Sequence, residues 1–106
     1  MTSKSSITID AVKLPPIHPG EILAEDLAEI GISVAAFARA LDVPQSRMAD
    51  IINGKRGISA DTALRLSAYF GTSARLWLNL QAAYDLAITQ ARDGGHIAAV
   101  VRPRAA

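Results

Sequence analysis

The chain has 106 residues, half of them apolar but only 5% aromatic, with no cysteine and a formal net charge of +1. That length fits one domain, the aromatic-poor composition favours packed helices over a sheet sandwich, and a disulfide framework is excluded. No apolar run approaches the ~20 residues of a membrane span, and the opening MTSKSSITID holds no apolar leader core, so a cytoplasmic protein without a membrane partner is expected.

Residues 1–16 read as a tail, rich in Ser and Thr and closed by Pro15-Pro16, which no helix crosses. Within it TIDAVKL suits a short extended strand. Five helices are predicted over 17–92. Pro19 in a first turn followed by Glu21 opens the first, with His18 helping to start it; Leu23, Leu27 and Ile30 share a face and Gly31 stops it. Ser33 is an N-cap for the second, whose Val34, Phe37, Ala38 and Leu41 follow the i, i+3, i+4, i+7 rule. Pro44 begins the third, which turns Met48, Ile51 and Ile52 inward and ends at Asn53-Gly54. Ser59 caps the fourth, Asp61 suits its positive end, and Leu64, Leu66 and Phe70 precede its stop at Gly71. Thr72-Ser73 caps the fifth, from Ala74 to about Arg92. After Asp93-Gly94-Gly95, the segment HIAAVVRPR reads as a short strand in a C-terminal extension, 93–106.

Helices two and three are short and separated by only a few residues around Asp42, Val43 and Pro44. This is the spacing of a helix-turn-helix, whose second helix enters the DNA major groove. With Met48, Ile51 and Ile52 inward, the outward face is Gln45, Ser46, Ala49, Asp50 and Asn53. Gln pairs with adenine, Asp accepts from cytosine, and Arg47 has the reach for guanine or a phosphate. Lys55 and Arg56 follow in a glycine-flanked loop suited to phosphates. A plain helical bundle with a solvated polar face fits the same spacing, but a simple helix stop needs no cation pair. Charge is also segregated: residues 1–32 carry two Lys against five acidic side chains, whereas 33–59 carry four basic against two acidic. Such separation suggests two partner surfaces.

Four segments carry a resemblance: PPIHPGEIL at 15–23, SVAAFARALDVP at 33–44, IINGKRGISADTALRLSAYFGTS at 51–73 and LWLNLQAAYDL at 76–86. Together they resemble the Cro/CI-type (XRE, lambda repressor-like) helix-turn-helix family, and within it the HigA/VapI-like antitoxins. HPGEIL and WLNLQ-x-x-YDL are the specific parts. The resemblance implies an all-α fold and a homodimer that neutralises a RelE-like, HigB-type mRNA interferase and represses its own operon through operator DNA. Two positions depart from the pattern. Val34 stands where many relatives have Gln, which leaves phosphate anchoring at that helix to backbone N–H groups near Ser33. Asp42 stands where Gly is common, and Asp tolerates the left-handed turn conformation.

Further surfaces complete the reading. Glu21, Glu25, Asp26 and Glu29 make helix one acidic, a solvated face or the seat of a basic toxin. Helix five carries a wide apolar stripe of Leu76, Trp77, Leu80, Ala83, Tyr84 and Ala87, and a second of Leu78, Ala82 and Leu86. One stripe suffices for a surface helix, so the second is expected to be a dimer contact, with a larger core as the alternative. His18 and His96 lie far apart without companion ligands, so no metal or other cofactor is expected. No nucleophile, base and orienter combine into a catalytic set. The expectation is a non-enzymatic antitoxin and autorepressor; a stand-alone regulator of the same fold, or an interaction bundle that binds no DNA, remains the alternative.

Overall fold

The computed structural model describes residues 15–105. The possible strand in TIDAVKL lies outside the described residues. Five helices follow one another: α1 Pro19–Ile30, α2 Val34–Leu41, α3 Gln45–Ile52, α4 Ala60–Phe70 and α5 Ala74–Val100. Each start has a local cause. The side chains of Ser33, Ser59 and Ser73 accept from backbone N–H groups three residues on, satisfying donors that a helix start leaves open. At α1 the cap is His18: its Nδ1 accepts from the Gly20 N–H at 2.9 Å, and the Glu21 carboxylate accepts from the His18 N–H at 3.2 Å. This reciprocal box explains the first half of HPGEIL.

The glycine explains more. A Cβ on Gly20 would collide with the backbone carbonyl of Ile51, so only glycine lets α1 lie this close to α3. One core results, made of Leu23 and Leu27 from α1, Phe37, Ala38 and Leu41 from α2, Met48 and Ile51 from α3, Ala63 and Leu66 from α4, with Ile58 and Trp77. Fully burying such a side chain contributes ~1.5–3 kcal/mol, so this cluster dominates the stability. Phe37 meets Tyr69 edge-on at 5.3 Å, and Phe70 bridges Phe37 and Trp77. Trp77 donates its ring N–H to the Thr72 hydroxyl at 3.1 Å, which removes the polar penalty of burying an indole.

Two expectations need correction. The segment read as a C-terminal strand is helical: α5 continues through Gly94-Gly95 to Val100, and extended backbone begins only at Val101. Two glycines weaken a helix by ~1 kcal/mol each, but the alanine-rich sequence around them keeps the hydrogen-bonded ladder running. Ile30, placed with Leu23 and Leu27, is exposed because α1 ends there.

Candidate nucleic-acid interface

α2 and α3 are joined by a turn in which Asp42 adopts the left-handed conformation, φ 57° and ψ 50°. Its N–H reaches back to the carbonyls of Ala38 and Arg39, and the Val43 N–H to that of Ala38. The turn therefore closes α2 without glycine. Pro44 then sets an extended entry, and α3 leaves with Gln45 and Ser46 exposed in its first turn. Asn53 is exposed at its other end, while Met48 and Ile51 are fully buried beneath. The outward face expected from the sequence is the outward face of the fold.

Not every charge on α3 points away. Arg47 donates to the Asp61 carboxylate at 2.6 Å, and Asp50 is half-exposed and paired with Arg56 at 3.5 Å. Lys55 is exposed in the loop after α3. Ser33 is exposed, but its hydroxyl serves as the α2 cap, accepting from the Ala36 N–H at 3.1 Å. Any anion contact there falls to backbone N–H groups at the helix start.

The loop carrying Lys55 and Arg56 is held from behind by a residue that sequence reading passed over. Gln81 of α5 is buried; its carbonyl oxygen accepts from the Ile58 N–H at 2.8 Å, and its amide donates to Asp85 at 3.0 Å. Gly57 lies against the same amide, where a Cβ would come within 3.0 Å of it. The second half of the resemblance thus has a physical use, since α5 fixes the basic loop through LNLQ-x-x-YD. The sequence signal for Gln81 was its place in the WLNLQ-x-x-YDL motif.

Asp61 and Arg65 were also not expected as site residues. Arg65 Nε donates to Asp61 at 2.9 Å, and its Nη1 donates to the carbonyls of Leu41 and Asp42 at 2.9 and 3.1 Å. Hydrogen bonds from Arg65 first, then from Arg47, hold the Asp61 carboxyl below its ordinary value, and Asp61 in turn raises Arg65. The four-residue spacing of Asp61 and Arg65 was the readable signal. With Arg56, Gly57, Ser59 and Thr62 they line an open cleft of about 310 Å³ beside α3.

Other candidate residues separate. Glu25 and Glu29 are exposed on α1, whereas Glu21 is exposed and also part of the α1 cap. Of the second stripe on α5, Ala82 and Leu86 are exposed but Leu78 is half-buried against the core. Among the described residues no three His, Asp or Glu side chains gather as a metal site would require, and no helix is long and apolar enough to cross a membrane.

Residues 23–77 match the family model described as Helix-turn-helix. The chain belongs to the XRE-type helix-turn-helix family, in its HigA/VapI-like branch. The virulence-associated protein I of Dichelobacter nodosus is 51% identical over 86 residues, 80% of each chain. An addiction module antidote protein of the HigA family from Coxiella burnetii superposes with a TM-score of 0.83 at 47% identity, covering 86% of this chain and all of that one. The Pseudomonas aeruginosa antitoxin HigA, solved with the higBA promoter, gives 0.81 at 50% identity, covering 85% and 99%.

Proposed function

We propose that this chain is an antitoxin and autorepressor: it binds operator DNA through α3 and neutralises a RelE-like, HigB-type mRNA interferase. The observation that carries the DNA half is the exposed polar face of α3 set beside the basic loop. Gln45, Ser46 and Asn53 are exposed on one surface with Lys55 and Arg56. Gln45 and Ser46 lie in the first turn of α3, the end that a recognition helix presents to base edges. Lys55, Arg56 and the N-terminus of α2 flank it as phosphate anchors. The HigA relative solved with promoter DNA supports operator DNA as the ligand.

A helix-turn-helix reads two half-sites as a dimer, and α5 supplies the surface for one. Ala82, Leu86, Ile97 and Val100 fall on one side of that helix and are exposed. Two exposed apolar pairs on one side, separated by Thr89 and Asp93, offer a surface for a protein contact. Leu78 belongs to the core side of the expected stripe and drops out. The recognition helices then sit about 34 Å apart and read a near-palindrome. For the toxin, Glu25 and Glu29 offer an acidic surface complementary to a basic ribosome-directed enzyme.

Selection from a randomised duplex pool tests the DNA reading, with a near-palindrome of half-sites one turn apart as the expected product. Co-expression with the product of the adjacent gene and pull-down tests the antitoxin reading. A small co-purifying protein whose growth inhibition is relieved supports it. The absence of both a partner and relief leaves a stand-alone regulator.

A further inference from the structure

Arg47 sits on the recognition helix, yet its guanidinium turns to α4 and meets Asp61 at 2.6 Å. The same carboxylate oxygen accepts from Arg65 Nε at 2.9 Å. Arg65 continues the chain of contacts to the carbonyls of Leu41 and Asp42. These carbonyls lie at the end of α2, where the last turn lacks intrahelical donors and carries the negative end of the helix dipole. Arg65 is therefore a C-terminal cap for α2 supplied by another helix. One carboxylate oxygen joins the end of α2, the first turn of α3 and the first turn of α4.

Exposed ion pairs add little to stability, and Asp61 is 54% exposed. Orientation is the property this arrangement can supply. Asp61 is also the acceptor that draws Arg47 from the groove side, beside a cleft already lined by Arg56. Building on the operator-binding reading above, we infer that Asp61 and Arg65 are positioning residues for base readout, and that Arg47 completes their clamp instead of contacting DNA. The clamp fixes the pose of α3 against α2 and keeps one cation from gripping phosphates of any sequence. Specificity gains in both ways.

A double-mutant cycle in salt titrations separates this from a structural role. The probes are the duplex that the wild-type chain selects from a randomised pool and a scrambled duplex of equal length and composition. Each phosphate neutralised contributes ~0.9 to the slope of log K against log salt on B-DNA. In the wild-type background Arg47→Gln should leave the slope unchanged. Asp61→Asn should free Arg47, steepen the slope by ~0.9 for each bound protomer, and reduce the selected-to-scrambled affinity ratio about tenfold per half-site, the size of one lost base contact. Adding Arg47→Gln to Asp61→Asn should remove the added slope, while Asp61→Glu should retain the wild-type slope and ratio. Mere loss of folded protein lowers affinity for both duplexes alike and moves neither readout. The inference is overturned if Arg47→Gln alone lowers the slope by ~0.9 for each bound protomer, marking a direct phosphate contact. It is overturned equally if Asp61→Asn leaves slope and ratio at wild-type values. A wild-type chain that selects no sequence overturns the operator-binding reading and this inference with it.

Discussion

The two ends of the molecule are held in different ways. In α1–α4 and the first turns of α5, contacts interlock: Gly20 admits the Ile51 backbone, Gln81 clips the loop at Ile58, and Asp61 joins three helices. After Gln81, α5 contains no buried residue, although it runs on to Val100. Leu86 is 68% exposed and Val100 57%. A polar face that contacts DNA has to be rigid before the ligand arrives, so its support is internal. The far half of α5 instead leaves apolar side chains uncovered, the surface proposed above for a dimer contact. One region is finished within the chain, whereas the other is not.

Substitutions sharpen that contrast. The largest effect is expected at Gly20. A methyl group there meets backbone, which cannot rotate away, so Gly20→Ala should destabilise by ~1–3 kcal/mol and lower the melting temperature by roughly 4–8 °C per kcal/mol. An unchanged melting temperature would show that α1 and α3 are not tightly apposed. Next is Gln81→Leu, which leaves the buried Ile58 N–H without its acceptor. Such an orphaned group costs ~1–3 kcal/mol, and hydrogen exchange at Ile58 should accelerate beyond the global change. Uniform exchange would deny Gln81 its hold on the loop.

The far half of α5 should behave oppositely. Leu86→Glu with Ile97→Glu should shift folding of the isolated protomer by no more than ~0.5 kcal/mol per surface site while halving the sedimenting mass. Retention of wild-type mass would remove this side of α5 from the dimer contact. The smallest effect concerns acid. Asp61 has a depressed folded pKa, so its contribution is present above the ordinary value of 3.8 and is lost as pH falls through the lowered one. Asp61→Asn should therefore flatten the melting profile only in that acid window, and flattening near neutrality would contradict the Arg65 and Arg47 pairing.

Much of this was legible beforehand, because local chemistry dictated it. Serines at 33, 59 and 73 mark three helix starts, and Met48 with Ile51 fixes which side of α3 faces out. Asp42 was recognisable as the turn residue because few side chains tolerate left-handed backbone. What escaped was set by tertiary neighbours. Arg47 was placed among the DNA contacts from its position on α3, and its pairing with Asp61 of α4 could not be read from the sequence. Gln81 stood in the WLNLQ-x-x-YDL motif without an assigned role, and only the folded loop reveals the N–H it serves. Gly94-Gly95 suggested a stop, but glycine only weakens a helix, and continuing hydrogen bonds outweighed it.

The central claim is that α3 lies in the major groove with Gln45 reading bases while Lys55 holds phosphate. It is tested most directly by binding isotherms for Gln45→Ala and Lys55→Ala on the selected duplex and its single-base variants at several salt concentrations. Gln45→Ala should lose about 1–3 kcal/mol at one or two base pairs per half-site and relax preference only there. Lys55→Ala should weaken every duplex alike and lower the salt slope by about one unit per half-site. The reverse pattern, uniform loss for Gln45→Ala and altered base preference for Lys55→Ala, would contradict the placement of α3 in the groove.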